Sequence, residues 1–475
     1  MGGVTRVVII GGGPAGYEAA LVGSQLGGEV TLIEDAGVGG AAVLTDCVPS
    51  KTLIATAEVM TIIQGSEELG LRVGGADGDP ATIDSLVSVD LAAVNSRVLG
   101  LAAKQSSDIT ERLAREHVDV VRGRGRLDGT RRVVAETSDG ERSFEADAIL
   151  VATGTHPRRL PDAQPDGERI LTWQQLYHLE ELPERLVVVG SGVTGAEFAS
   201  AYHALGVDVV LVSSRDQVLP GEDPDAARVL QEVLERRGMT IMARSRAAAA
   251  RRVGDGVEVE LTDGRVIEAS HVLMAVGSIP NTTDMGLEEA GVALTDSGHI
   301  TVDKVSRTSA RGVYAAGDCT GVLPLASVAA MQGRIAMWHT LGDAVAPLDL
   351  NTVAANVFTA PEIATVGVSQ QDVDGGVLDA KAVTLPLRGN ARAKMQGIED
   401  GFVKIFCLPR TGIIVGGVVV APSASELIHP LSLAVAERIT VDEFAGDFTV
   451  YPSLSGSLAE AARRLHRGAI TPVVD

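Results

Sequence analysis

One glycine pattern occurs twice in this chain, each time in the same setting. Arg6–Ile10 (RVVII) is a short apolar run that ends in Gly11-x-Gly13-x-x-Gly16, with Pro14 and Ala15 inside the pattern. Leu186–Val189 (LVVV) likewise ends in Gly190-x-Gly192-x-x-Gly195, enclosing Val193 and Thr194. Behind the first pattern a helical stretch runs to about Leu26, and Glu29–Ile33 reads as a second strand. Behind the second, Val207–Val212 is the corresponding strand. In a strand–turn–helix setting each glycine has a task. The first permits the tight turn, the second lets backbone approach a pyrophosphate, and the third lets helix pack on strand. The helix N-terminus then faces the negative charge. The closing strands repeat as well. Ile149–Gly154 (ILVATG, with Thr153 and Gly154) is followed by Pro157, and Val272–Gly277 (VLMAVG) by Pro280. Two such units in one chain predict an α/β protein with two Rossmann-like dinucleotide-binding domains. They imply two dinucleotides, one kept as a prosthetic group and one exchanged.

The two units differ where a ribose would sit. Glu34, with Asp35 next, lies 18 residues past Gly16 (34 − 16), and the same step past Gly195 reaches Ser213, followed by Ser214 and Arg215. An acid at this point binds a ribose 2′-hydroxyl, whereas hydroxyls and a cation suit a 2′-phosphate. The second site therefore reads as one that uses NADPH well and tolerates NADH.

Several further segments share one resemblance. Gly39-Gly40-Ala41-Ala42-Val43-Leu44-Thr45-Asp46-Cys47-Val48-Pro49-Ser50-Lys51 resembles the redox-disulfide segment of the flavoprotein disulfide reductases, the family of lipoamide dehydrogenase, whose pattern is GGTCxNxGCxPSK. Thr308–Asp318 resembles that family's second FAD motif, and Leu325-Ala326-Ser327 the segment beneath the flavin pyrimidine. Phe358–Gly367 resembles the start of its C-terminal dimerisation domain, with strands around Phe402–Phe406 and Ile413–Val420. The resemblance implies FAD bound by the first unit, with Asp318 on the ribityl chain, Gly125 near the adenine, and Ala41 and Ala42 beside the flavin. It implies Lys51 at flavin N5 and Glu197 paired with that lysine. It also implies a homodimer whose chain end enters the partner's site. The expected divisions are 1–155 (FAD), 156–282 (NAD(P)), 283–348 (completing the FAD site) and 349–475, an α+β dimerisation domain.

The departures from the family pattern fall on one task. The first redox cysteine is Ala42. The C-terminal pattern HxHPTxxE is Thr449-Val450-Tyr451-Pro452-Ser453-Leu454-Ser455-Gly456, so the acid–base histidine is Tyr451 and its orienting glutamate is Gly456. Thiol–disulfide exchange needs two sulfurs and a general acid. The hydride-input residues Lys51 and Glu197 remain. The reading is an FAD-dependent NAD(P)H oxidoreductase that passes hydride to a non-disulfide acceptor, a quinone, with Tyr451 able to donate a hydrogen bond. It is not a lipoamide dehydrogenase. Three alternatives stay open: a single-cysteine peroxidase or oxidase, a soluble transhydrogenase, and a redox-inert flavin scaffold or sensor. Cys47 and Lys51 stand at i and i+4 on one helix face. The helix N-terminus and the lysine charge are expected to lower the Cys47 pKa.

Bulk properties narrow the partners. The net charge of −22 argues against broad nucleic-acid binding. No apolar run is long enough to span a membrane, and Met1–Arg6 lacks signal-peptide anatomy. Three cysteines, Cys47, Cys319 and Cys407, without metal-ligand spacing, suggest a reducing cytoplasm and no metal site.

Overall fold

The computed structural model describes residues 4–71 and 87–466; the Met1–Gly3 part of the N-terminus read for a leader lies outside them. Arg6–Ile10 is the centre of a five-stranded sheet, flanked in parallel by Glu29–Glu34 and Ala148–Val151, with Val313–Ala315 and Asp119–Arg122 at the edges. Its apolar run is buried on both faces: Val7, 0% exposed, packs with helices Pro14–Gln25 and Ala326–Leu341, and Val8, 2% exposed, with strands Arg124–Leu127 and Arg132–Thr137. The second sheet repeats the plan: Thr240–Met242, Asp208–Val212, Arg185–Val189, His271–Met274 and Ile170–Leu171. The repetition extends to register. Arg6 pairs with Glu29 and Arg185 with Asp208, a step of 23 residues in both (29 − 6; 208 − 185).

Each parallel sheet is accompanied by a three-stranded antiparallel one, Arg124–Leu127 to Gly140–Glu145 in the first unit and Ala247–Val253 to Val266–Ala269 in the second. The chain leaves the first unit through Thr155–Pro157 and returns through Ser278–Pro280. These two segments pair antiparallel, so both crossings form one ribbon. After the long helix Ala326–Leu341 comes a five-stranded antiparallel sheet, ordered Ala354–Val357, Glu362–Gly367, Ile414–Ala421, Phe402–Cys407, Lys381–Pro386. The observed strands are Phe402–Cys407 and Ile414–Ala421, each ending one residue later than the apolar pattern suggests, because Cys407 still pairs with Ile414 across a register shift and Ala421 pairs with Glu362.

The three bodies share a core. A single apolar cluster contains Leu53 and Ile54 of helix Cys47–Gln64, Phe198 and Tyr202 of helix Val193–Ala204, and Phe402, Phe406 and Val420 of the C-terminal sheet. Beside it lies a buried ion cluster. Lys404 Nζ donates to Asp223 Oδ1 and Oδ2 at 3.0 and 2.8 Å and to Asp225 Oδ2 at 2.7 Å. The side chains of Lys404 and Asp223 are 1% and 2% exposed. Asp223 also caps helix Pro224–Arg236 by accepting from the Asp225 and Ala226 amides. Removing the ammonium strands a buried carboxylate, a loss of about 3–5 kcal/mol. Lys404→Ala is therefore expected to lower the unfolding free energy by that order in urea titrations of the holoprotein, whereas the exposed pair Arg251–Glu260 should be worth less than about 1 kcal/mol.

Candidate active site

The two glycine turns are built alike, atom for atom. Gly11 and Gly190 have φ of +103° and +114°, and a β-carbon on them would lie 2.2 Å from Ala152 O and 2.1 Å from Ala275 O. One on Gly16 or Gly195 would lie 1.8 Å from the carbonyl of Gly11 or Gly190. These positions admit only glycine. At Gly13 and Gly192 a β-carbon meets nothing within 4 Å, so the middle glycines face open space in front of a helix start. Pro14 opens helix Pro14–Gln25, leaving the unpaired first-turn amides of Ala15 and Gly16 towards that space. Val193, 42% exposed, opens helix Val193–Ala204 with Thr194 and Gly195 behind it. Both cradles suit a pyrophosphate.

At the first cradle, Glu34 is fastened to the turn. Its Oε2 accepts from the Gly12 amide, and its Oε1 accepts from Ala36 N at 2.7 Å and Gly37 N at 3.2 Å. Burial raises its pKa, while these amides pull it down. Asp35 is exposed and lines a cavity of about 310 Å³ with Arg122, Gly123, Arg124 and Glu136. Gly125 packs on Ile10, since a β-carbon there would lie 3.0 Å from its side chain. Thr153 Oγ1 donates to Asn281 O at 2.7 Å, and Gly154 turns the chain with φ of +65°. Asp318 is half-buried and its pKa is raised by that burial, with the Thr155 hydroxyl as counterweight. Leu325 precedes helix Ala326–Leu341, whose first turn holds Ala326 and the exposed Ser327. That helix crosses Pro14–Gln25 so closely that a β-carbon on Gly333 would lie 2.1 Å from Ala15 O. The open glycine cradle, the half-buried acid and a second helix start fit the residues to FAD.

Between the two cradles Lys51 Nζ lies 2.9 Å from Glu197 Oε2. The Glu197 side chain is 4% exposed and that of Lys51 31%. Glu197 Oε1 accepts from Phe358 N at 2.9 Å, and the Lys51 ammonium stands 5.0 Å from the Phe358 ring centroid. Burial pulls the Lys51 pKa down, but the charge and hydrogen bond of Glu197 more than offset it, and the net shift is upward. The pair is thus held from three parts of the chain. Phe358 was legible in the sequence only as the start of the C-terminal region.

Cys47 is the first residue of helix Cys47–Gln64, on the same face as Lys51. The expectation of a lowered thiol pKa is corrected. Burial, followed by the charge of Asp46, pushes the thiol up to about 11, outweighing the pull of Lys51. Asp46 occupies the position of a glycine in the redox pattern. Its own pKa is raised by burial, and its side chain does not cap the helix it precedes. Ala41 and Ala42 lie on the short helix Gly40–Leu44, exposed and half-buried. All three cysteines are free, and Cys319 and Cys407 are buried elsewhere. Tyr451 is 87% exposed, next to Phe448 at 100% and Val450 at 77%. Its hydroxyl has no hydrogen-bond partner among the described residues, so within one chain it does not join the Lys51–Glu197 pair.

At the second cradle the three residues beyond the strand divide. Ser213 is fully buried, and its hydroxyl shares a 2.7 Å bond with Ser191 Oγ and accepts from Arg215 N at 3.1 Å. It braces the loop rather than offering a group to a ribose, which differs from its expected use. Ser214 and Arg215 are exposed. Gly277, with φ of +93°, has open space where a side chain would be.

A protein with paired dinucleotide cradles around a lysine–glutamate pair is an oxidoreductase of the flavoprotein, NAD(P)H-using class. More specifically, the chain belongs to the pyridine nucleotide-disulphide oxidoreductase family, which matches residues 5–333, with the family's dimerisation domain matching residues 353–462. It is 57% identical over 472 residues to the NAD(P)H dehydrogenase (quinone) of Mycobacterium tuberculosis, covering 97% of this chain and 94% of that one. It is 31% identical to the dihydrolipoyl dehydrogenase of Bacillus subtilis, covering 96% of each. The crystal structure of LpdA from Mycobacterium tuberculosis matches with a TM-score of 0.91 and 55% identity, covering 98% of this chain and 100% of that one.

The protonated thiol sets a chemical expectation. Because only the thiolate is nucleophilic, alkylation of Cys47 by iodoacetamide in the native holoprotein, followed by mass spectrometry, should be slow at neutral pH. It should accelerate towards pH of about 11. A rate already at its plateau near pH of about 8, where an ordinary thiol titrates, would contradict the assignment.

Proposed function

We propose that the protein is an FAD-dependent NAD(P)H:quinone oxidoreductase that works as a homodimer in the cytoplasm and prefers NADPH. One observation carries this reading. The Lys51–Glu197–Phe358 constellation is complete, while the sulfur that would take electrons onward is replaced by Ala42. The quinone activity in the name of the 57% identical relative supports the choice of acceptor. The dimerisation-domain match supports the homodimer. Among the described residues no helix is long and apolar enough to cross a membrane.

FAD, when bound, supplies the two-electron relay between nicotinamide and acceptor. Gly13, Glu34, Asp318 and the start of helix Ala326–Leu341 would hold it. Gly192 and the start of helix Val193–Ala204 hold the pyrophosphate of the NADPH. Glu197, fixed by the Phe358 amide, keeps Lys51 protonated and in place, so a single ammonium faces the redox centre at all physiological pH. The overall change is NADPH + H⁺ + quinone → NADP⁺ + hydroquinone. The two electrons and one hydrogen come from NADPH and the second proton from solvent. A flat acceptor needs stacking room, which the small side chains of Ala41 and Ala42 leave. Tyr451, on the chain end that the family resemblance carries into the partner's site, offers an O–H to the acceptor oxygen. The single-cysteine alternative requires a reactive thiolate, which the raised Cys47 pKa disfavours.

Anaerobic stopped-flow separates the two halves. With NADPH the flavin absorbance should bleach, and with menadione it should return, with rates in Cys47→Ser within about threefold of wild type. Loss of quinone turnover in Cys47→Ser, or no reoxidation of wild type by any quinone, would sink the reading. Glu197→Ala should slow the bleaching on the order of 100-fold by misplacing Lys51, leaving reoxidation nearly unchanged.

A further inference from the structure

The second nucleotide unit holds a feature that its strand–turn motif does not contain. Strands Asp208–Val212 and Thr240–Met242 lie side by side and in parallel, with Val212 in register with Met242. In such sheets ligands bind beyond the carboxyl ends of the strands, so the residues after Val212 and after Met242 line the same edge. Two backbone bonds tie these loops together: Ser245 N donates to Ser213 O at 2.7 Å and Arg244 N donates to Arg215 O at 2.9 Å. Arg244 takes a left-handed backbone, φ +50°, which a residue with a β-carbon rarely adopts. The bond to Arg215 fixes it there and sets two arginines next to each other at the mouth of the nucleotide site.

Neither guanidinium is committed to the protein core. Arg215 is exposed and makes no ion pair among the described residues. Arg244 faces only Asp216, at 3.9 Å, with side chains 81% and 85% exposed. The geometry points to Arg244 and Arg215 as a two-armed clamp for the 2′-phosphate of NADPH, with Asp216 as the resting counter-ion of Arg244. This rests on the NADPH reading above and adds a residue from the turn after strand Thr240–Met242, outside the fingerprint. A phosphate monoester offers three terminal oxygens, which two planar guanidiniums can share in bidentate bonds. Ser214 adds an exposed hydroxyl on the same loop, while Ser213 is spent inside it. Asp216 works against the phosphate, since the incoming dianion must displace it from Arg244. The clamp is solvent-exposed, so its contribution falls as salt rises.

The test compares 2′,5′-ADP with 5′-AMP, which differ by the 2′-phosphate, by isothermal titration of the FAD-loaded holoenzyme. Arg244→Asn keeps a side chain that tolerates the left-handed backbone. It is expected to weaken 2′,5′-ADP about tenfold and leave 5′-AMP unchanged. Asp216→Asn should tighten 2′,5′-ADP alone. If Arg244→Asn weakens both fragments equally, or neither, the clamp is overturned while the NADPH preference stands. If wild type itself binds the two fragments equally, the NADPH preference and the clamp fall together.

Discussion

The ion pair between Lys51 and Glu197 is where the three bodies of this protein meet. The lysine comes from the helix behind the redox segment, the glutamate from the helix behind the second glycine turn, and the amide that fixes the glutamate from Phe358 at the entry to the C-terminal sheet. Burying a carboxylate to 4% exposure is costly unless a partner and hydrogen bonds compensate it. Here one oxygen takes the ammonium and the other the amide. Each body therefore contributes one group to the pair. The shared apolar core and the Lys404–Asp223–Asp225 cluster support the same arrangement from behind.

The same pair ties down the redox segment, in which Ala42 stands where the family pattern has a cysteine. Helix Cys47–Gln64 carries Lys51 one turn past Cys47. Any change that moved the helix would break the pair. Replacing the first sulfur by Ala42 does not touch it. Burial, followed by the charge of the half-buried Asp46 in the place of a glycine, holds the remaining thiol protonated. The Lys51–Glu197 pair is intact, and no second sulfur stands beside Cys47 in the redox segment.

What the sequence revealed and what it hid divide by the range of the interactions. The two glycine turns were legible because each glycine answers a local steric demand, a carbonyl within about two ångströms of a would-be β-carbon. The pairing of Lys51 with Glu197, 146 residues apart, was legible only through family resemblance. Phe358 was missed because its amide reaches Glu197 across 161 residues. Ser213 was misjudged because its position in the motif says nothing of the buried Ser191 hydroxyl that captures it. The Cys47 thiol departs from the lowered pKa expected at a helix end because burial outweighs those electrostatics. Arg244 lies in the turn after strand Thr240–Met242, which no nucleotide motif includes.

The central claim is that the flavin is the only redox centre, with no sulfur partner behind it. Anaerobic titration of the purified holoprotein with dithionite, followed through the flavin absorbance, measures this directly. The account predicts complete bleaching after two electrons per flavin, with no long-wavelength thiolate–flavin band on the way. Uptake of four electrons per flavin, or such a band appearing at the midpoint, would contradict it.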